Sequence, residues 1–143
     1  ARAIGVSNFN IPHLERLAAE CEIVPMVNQI EFHPYLVQTD LQLYLQAHNI
    51  VLEAWSPLAK GRILTDPAIL GLAAKYGRTP VQIVLRWDMQ KGIVTIPKTL
   101  TRERMIDNAD LFGFSLSEAD MALIDGLDCH LRTGPDPDVF DKQ

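Results

Sequence analysis

Hydrophobic residues alternate along this chain between short continuous runs and stretches with helical spacing. Each run is bounded by turn-forming residues, as is typical of a buried strand, and the runs lie at 3–6, 24–30, 50–55 and 93–96. Between the runs, apolar residues recur every three or four positions, as at Leu14, Leu17 and Cys21, and this spacing predicts amphipathic helices. The pattern therefore predicts four successive strand–helix units.

Helix boundaries are marked by residues that satisfy the free backbone groups at helix ends. Asp66 followed by a proline begins a helix that Gly77 ends, and Thr79 to Gln82 forms a capping box for a helix that runs to Gly92. The other predicted helix starts are Asn10, Thr39 or Asp40, Thr101, and Ser115 or Ser117. Residues 133–138 are rich in Pro and Asp, and we expect an irregular tail there.

Strands separated by helices pair in parallel, because a parallel partner needs a crossover connection and helices usually supply it. The fold class is therefore α/β. A complete (β/α)8 TIM barrel needs about 250 residues, or about 31 per unit. The 143 residues of this chain match half of such a barrel plus a tail, in a single domain over residues 1–143. An open doubly wound sheet is the alternative, although no G-x-G-x-x-G turn follows any strand.

Composition and charge exclude several classes of protein. With 48% hydrophobic residues and a net charge of −5, the chain is neither disordered nor suited to nucleic acid or an anionic membrane surface. No apolar run approaches the roughly 20 residues that span a bilayer. The two cysteines, Cys21 and Cys129, fit a reducing cytoplasm. Because the chain begins at Ala1 within or just before a strand, we expect a front part to be missing.

Reacting and binding groups of parallel barrels collect at the carboxyl ends of the strands. Those ends carry mostly neutral polar residues, with one aromatic residue, one leucine and one cation, namely Ser7, Asn8, Asn28, Gln29, Trp55, Ser56, Leu58, Lys98 and Thr99. Hydroxyls and amides both donate and accept, so they suit a carboxamide, and Trp55 could stack on a ring. The alternatives are that Ser7 and Asn8 only turn the chain, while Gln29 and Trp55 are core residues. The set favours binding of a cofactor over proton transfer.

Cations surround the start of the helix that follows the fourth strand. Lys98, Arg102 and Arg104 there oppose the positive end of the helix dipole, and a bound anion such as phosphate would reverse that effect. The alternative is that the two arginines pair with acidic residues on a solvated face, the candidates being Glu103, Asp107 and Asp110.

Histidine gives little evidence of catalysis or of a metal site. His33 beside Pro34 could be a general base, but a histidine at such a junction is more often a structural hydrogen-bonding residue. The other histidines have no partners at metal-ligand spacing, so the sequence predicts no metal site.

Taken together, the segments resemble the carboxyl-terminal half of an aldo-keto reductase. The matching stretches occur in family order and are Ile4-Gly5-Val6-Ser7-Asn8-Phe9, Asn28-Gln29-Ile30-Glu31-Phe32-His33-Pro34-Tyr35, Ala54-Trp55-Ser56-Pro57-Leu58, and Ile96-Pro97-Lys98-Thr99 with Arg104 and Asn108. Trp55, where many relatives carry Tyr, and the Gly134-Pro135-Asp136-Pro137-Asp138 tail resemble the bacterial 2,5-diketo-gluconate reductase-like branch. The resemblance implies the last four units of a TIM barrel.

The resemblance also implies roles for these residues. Ser7, Asn8 and Gln29 would hold the nicotinamide carboxamide, and Trp55 would stack on its ring. The pyrophosphate path would be lined by Ser56, Leu58 and Lys60. The adenosine 2′-phosphate would bind Lys98, Thr99 and Arg104, which implies NADPH rather than NADH. Asn108 would face the adenine, near Asp107, where many relatives have Glu.

The implied reaction is hydride transfer from NADPH to an aldehyde or ketone, with a general acid protonating the developing alkoxide. The family's catalytic Tyr, with its Lys, Asp and His partners, belongs to the first half of the barrel, so no catalytic residue is assigned. Neither Tyr35 nor Tyr44 lies in that motif. The alternatives are a catalytically silent NADPH-binding relative, such as an auxiliary or structural protein, and a phosphosugar isomerase or lyase barrel.

A half barrel leaves two unpaired strand edges and one uncovered apolar face, and both favour association. We therefore expect the chain either to belong to a longer polypeptide that supplies the amino-terminal half or to self-associate. Taken alone, the 143 residues are expected to be inactive.

Overall fold

The computed structural model describes residues 1–140 and contains one four-stranded parallel sheet. Its strands are β1 (Gly5–Ser7), β2 (Val27–Glu31), β3 (Val51–Trp55) and β4 (Val94–Thr95). Their spatial order is β1-β2-β3-β4, so each strand pairs with the next one in sequence. A doubly wound sheet reverses its strand order at a switch point, whereas a barrel adds strands consecutively. The order therefore agrees with half of a barrel.

Helices follow the strands as the polar and apolar pattern predicts. They are α1 (Ile11–Glu20), α2 (Thr39–Ala47), α3 (Pro67–Tyr76), α4 (Pro80–Gln90), α5 (Arg102–Ala109), α6 (Glu118–Asp125) and α7 (Pro137–Phe140). Asp66 caps α3, and the capping box of Thr79 and Gln82 begins α4 as predicted. Of the two serines proposed for α6, Ser117 is the cap, since its hydroxyl accepts from the Asp120 N–H.

Several boundaries differ from the expectation. The tail is not wholly irregular, because α7 begins at Pro137, and a 3-10 helix over Ala59–Thr65 precedes α3 without having been predicted. Cys21 was expected to pack on the apolar face of α1, but it is exposed because the helix ends at Glu20 and the chain turns to extended backbone. Strand β2 continues to Glu31, which pairs with Trp55 of β3.

The two faces of the sheet have different environments. One face carries Asn28, Ile30, Leu52 and Ala54, all buried against the helices. The largest buried side chain of this core is Trp87 of α4, which stacks on Phe32. The opposite face carries one register row that joins Ser7, Gln29, Glu53 and Val94. These residues are exposed or half-buried, so helices cover only one face of the sheet in the described part of the chain.

Candidate functional site

The ends of β1 and β3 meet through a hydrogen bond between side chains. Trp55 Nε1 donates to Asn8 Oδ1 at 2.8 Å, although the two residues are 47 positions apart. Asn8 adopts a left-handed conformation with φ of 58°, which Asn tolerates better than most residues. The Ser7 hydroxyl and the Asn8 N–H both donate to the Gln29 carbonyl, at 3.0 and 2.9 Å. Three of the predicted strand ends are thereby joined.

A cleft of about 560 Å³ opens beside this junction, between α1 and the carboxyl-terminal tail. Ser7, Asn8 and Trp55 form its base. Apolar surface dominates its walls, which include Phe9, Leu17, Pro135 and Pro137, and α1 adds the polar side chains of His13, Arg16 and Glu20. The arrangement is a concave, largely apolar site with a few polar groups, as small-molecule sites usually are.

Gln29 does not line that cleft. It lies two residues before the end of β2, and its Nε2 donates to the carboxylate of Glu53 at 2.5 Å. Neighbouring Asn28 faces the helices instead, where its buried amide binds the backbone of Phe9. The sequence placed both amides at a strand end, whereas the pairing of Glu31 with Trp55 shows that β2 extends beyond them.

Glu31 lies next to the candidate site, and the sequence did not single it out. Its carboxylate is buried at the end of β2 and accepts hydrogen bonds from Thr133 N at 2.6 Å, Thr133 Oγ1 at 2.5 Å and Gly134 N at 3.1 Å. Burial acts to raise the pKa of Glu31, but the hydrogen bonds from Thr133, Gly134 and His33 outweigh it and lower the pKa. The only sequence signal was an acidic residue between the apolar residues Ile30 and Phe32.

His33 is a structural hydrogen-bonding residue in this fold. Its Nε2 lies 3.1 Å from Glu31 Oε1 inside the protein, and its side chain has no solvent exposure. Burial lowers the pKa of His33, although the carboxylates of Glu31 and Asp128 oppose that effect. Since its ring lies in the core and not on the cleft, the general-base interpretation gains no support.

The loop after β3 is held in an unusual backbone conformation. Ser56, Ala59 and Lys60 all have positive φ, and Gly61 has φ of 89°. Such clusters of sparsely populated conformations are common at ligand sites. Leu58 packs against the core, Ser56 is half-buried, and Lys60 Nζ donates to the Thr133 carbonyl at 2.5 Å. Lys60 therefore contacts the tail as well as the loop.

The cations of the fourth unit lie on an exposed surface next to β4. Within residues 1–140, Lys98, Arg102 and Arg104 form no ion pair. Asp110, one candidate partner for the arginines, instead binds Arg78 at 2.6 Å. This arrangement disfavours the solvated ion-pair interpretation.

The remaining predicted residues of this unit lie before α5 or within it. Thr99 Oγ1 accepts from the Thr101 N–H at 3.2 Å, and Asn108 is half-buried near the end of the helix. Arg104 lies in the first turn and is exposed. None of Lys98, Thr99, Arg104 and Asn108 lines the cleft beside Trp55, so the structure contains two separate groups of predicted residues.

Both tyrosines near β2 have structural partners. The Tyr35 hydroxyl donates to Asp66 Oδ2 at 2.8 Å, and burial together with this carboxylate raises the pKa of Tyr35 to about 12. Tyr44 stacks on His48 with ring centroids 4.1 Å apart. Neither tyrosine lines the cleft. Residues 1–140 contain no cluster of three or more His, Cys, Asp or Glu suited to a metal ion.

Comparison with known proteins explains this combination of a one-sided parallel sheet and a polar rim. The profile of the aldo/keto reductase family matches residues 1–128. The chain belongs to this family. It is 51% identical to a glyoxal reductase of Bacillus subtilis over 137 residues, which cover 96% of the chain and 50% of that relative. It is 47% identical to the methylglyoxal reductase DkgA of Yersinia pestis, with coverage of 97% and 51%.

Solved structures agree with the family and with the fold. A variant of Gox0644 crystallised in complex with NADPH superimposes with a TM-score of 0.93 at 46% identity, and the match covers 96% of this chain and 51% of that one. The chain thus spans about half the length of the family members it matches. Its relatives lie in the 2,5-diketo-gluconate reductase-like branch, as the tail and Trp55 predicted. No helix within residues 1–140 is both long and apolar enough to cross a bilayer.

Proposed function

We propose that this protein is an NADPH-dependent carbonyl reductase and that residues 1–143 form the cofactor-binding, carboxyl-terminal half of its barrel. The observation that carries the proposal is the junction of Ser7, Asn8 and Trp55 at the base of an apolar cleft. Family membership and the NADPH complex of the similar Gox0644 variant support the choice of cofactor.

The polar groups beside the cleft fit a nicotinamide carboxamide. Asn8 uses Oδ1 to accept from Trp55, and Gln29 uses Nε2 to donate to Glu53. Among the residues that the structure describes, this leaves the Asn8 Nδ2 donor and the Gln29 Oε1 acceptor for a ligand, and a carboxamide offers one acceptor and one donor group. The half-buried indole of Trp55 supplies a flat face for the ring.

The second group of residues fits the phosphate end of the cofactor. Lys98 and Arg104 are cations without an ion-pair partner in residues 1–140; Lys98 precedes α5 and Arg104 lies in its first turn. A 2′-phosphate bound there would be stabilised by both side chains and by the helix dipole. On this proposal Thr99 binds the same phosphate, Asn108 faces the adenine, and Ser56, Leu58 and Lys60 lie along the path between the two ends.

When bound, NADPH supplies the hydride that reduces an aldehyde or ketone to an alcohol. The residues described above would bind and orient the cofactor and exclude water, and none of them is assigned the proton-donor role. We propose that the donor Tyr and its Lys, Asp and His partners are supplied by the other half of the barrel. The names of the relatives, glyoxal and methylglyoxal reductase, support a small reactive carbonyl compound as substrate.

Replacing the two cations tests this proposal in the full-length protein. Arg104→Ala and Lys98→Ala should each weaken NADPH binding about tenfold or more, the usual effect of losing a charge-assisted hydrogen bond. NADH binding should change little, because NADH lacks the 2′-phosphate. Tryptophan fluorescence quenching on titration with either cofactor measures both affinities.

Arg2→Ala is the matched control, since Arg2 is exposed and precedes β1 at the opposite end of the sheet. Equal losses for NADPH and NADH in the Arg104 variant would contradict the assignment of the phosphate site. NADPH binding without turnover of any carbonyl compound would favour the catalytically silent alternative. Binding of a phosphosugar with no binding of NADPH would favour an isomerase or lyase.

A further inference from the structure

The buried carboxylate of Glu31 makes none of the cofactor contacts proposed above, yet both of its oxygens accept hydrogen bonds from the protein. Four donors reach it, from Thr133 N, Thr133 Oγ1, Gly134 N and His33 Nε2, at distances between 2.5 and 3.1 Å. Three of the four belong to the tail. Lys60 adds a fourth tail contact through the Thr133 carbonyl. The tail is therefore fastened at Thr133 and Gly134.

This fastening brings the backbone of Gly134 against Trp55. A Cβ atom at position 134 would lie 2.4 Å from Cη2 of the indole and 3.4 Å from Glu31 Oε2. Only glycine fits there without displacement of the ring or the tail. The opposite end of the indole is held by the hydrogen bond from Nε1 to Asn8. Both ends of the ring are thus restrained, one by β1 and the other by the tail.

The same segment continues into the wall of the cleft. Pro135 and Pro137 lie one and three positions after Gly134 and line the cleft opposite α1. The Asn10 amide donates to Asp138 at 2.7 Å and ties the far end of the segment to the start of α1. The position of this wall therefore depends on where Thr133 and Gly134 are anchored.

We propose that Glu31 is a positioning residue. By binding Thr133 and Gly134, it holds the tail in contact with Trp55. This contact fixes the plane of the indole and the position of the cleft wall that the tail forms. The inference deepens the proposed function, because that ring is the surface on which the nicotinamide would stack. A carboxylate suits this position because all four of its partners are hydrogen-bond donors, and an ionised carboxylate only accepts hydrogen bonds. An amide would place an NH2 group opposite backbone N–H donors.

Two measurements without cofactor test the anchor in the full-length protein. Trypsin cleavage after Arg132 reports release of the tail, because the next residue is Thr133. Acrylamide quenching, taken as the difference between each variant and the same variant carrying Trp55→Phe, reports mobility and exposure of Trp55; the other tryptophan of residues 1–143, Trp87, is completely buried. Glu31→Gln should raise the cleavage rate about tenfold, as expected for loss of a hydrogen bond to a charged group, and should increase the quenching constant.

Variants on the tail keep the test valid if Glu31→Gln fails to fold. Thr133→Val removes only the hydroxyl donor and should increase both signals, whereas Thr133→Ser retains the donor and should resemble the wild type. Gly134→Ala should increase quenching of Trp55 while leaving the carboxylate in place. Asp110→Asn, on the exposed pair with Arg78, is the control for loss of a carboxylate remote from the cleft.

A third measurement distinguishes this inference from the proposed function. Releasing the tail should raise KM for the carbonyl substrate more than it changes the affinity for NADPH, since Lys98, Thr99 and Arg104 do not line the cleft that the tail borders. Failure of the wild type to bind NADPH would overturn the proposed function without affecting the anchor. Unchanged trypsin cleavage and unchanged quenching in Glu31→Gln and Thr133→Val would overturn the anchor whatever the cofactor affinity.

Discussion

Asp88 of α4 is a completely buried acidic residue, and it forms no ion pair with any cation of residues 1–140. Within residues 1–140 neither of its carboxylate oxygens has a well-formed hydrogen bond. Burial raises its pKa well above the ordinary value, and the Thr95 hydroxyl and the charge of Lys91 oppose this rise only in part. Its backbone carbonyl accepts from the Ile93 N–H, so Asp88 lies where α4 turns into β4.

The raised pKa makes stability depend on pH with a definite sign. As pH rises above about 4, the ordinary value for Asp, the unfolded chain loses this proton while the folded chain keeps it, so the free energy of unfolding falls. Asp88→Asn is neutral and similar in shape and should abolish this decline. We expect the variant to match the wild type near pH 4 and to exceed it at pH 7, by about 1.4 kcal/mol for each unit of raised pKa.

Urea unfolding at several pH values between 4 and 7 measures the effect. Asp107→Asn, on the exposed surface of α5, is the control and should keep the wild-type dependence on pH. A wild-type protein whose stability rises steadily over this interval, together with a parallel curve for Asp88→Asn, would contradict a protonated Asp88.

Among the helices, α6 is joined to α3 by a compact polar network. Asp120 accepts from Lys75, from the Tyr76 hydroxyl and from the Ser117 hydroxyl, and these hydrogen bonds lower its pKa. The Tyr76 hydroxyl also accepts from the Ser117 N–H at 2.9 Å. The network makes the start of α6 part of the packing between the two helices.

The sequence left Ser115 and Ser117 as equal candidates for this cap, and substitution distinguishes their contributions. Ser117→Ala should lower the free energy of unfolding by about 1 kcal/mol, because it removes the acceptor for the Asp120 N–H. Ser115→Ala should cost less than half as much, since it loses an exposed contact with Arg86. Thermal or urea unfolding of both variants measures the difference, and equal costs would contradict the assignment of Ser117.

Considered as a whole, the molecule has one covered and one uncovered sheet face. On the uncovered face Val51 and Val94 are 43% and 45% exposed, although both are strand residues. Strands β1 and β4 each have a neighbour on one side only, within residues 1–140. Unpaired edges and exposed apolar strands favour association.

We expect residues 1–143 expressed alone to self-associate, because no element within residues 1–140 covers these surfaces. Val51→Lys and Val94→Lys should reduce the association observed by sedimentation velocity. Leu43→Lys should not, since Leu43 is 60% exposed on α2, away from the sheet face. A monodisperse monomer that melts cooperatively would contradict the expectation.

Much of the fold could be predicted because its signals are local. The spacing of Leu14 and Leu17, the proline after Asp66 and the capping box at Thr79 each act within a few residues, and the helices begin where these signals predict. The 3-10 helix over Ala59–Thr65 could not be predicted, because its positive φ angles at Ala59 and Lys60 depend on the packing of the loop.

The candidate site likewise has features that local sequence predicts and features that depend on packing. The sequence by itself determined the order of strands and helices and the kinds of side chain at the strand ends, since periodicity and capping are properties of neighbouring residues. Only the tertiary structure decided that Trp55 meets Asn8, that Gln29 turns toward Glu53, and that Glu31 binds a tail 102 residues away. Such contacts depend on strand register and packing, which local sequence does not specify.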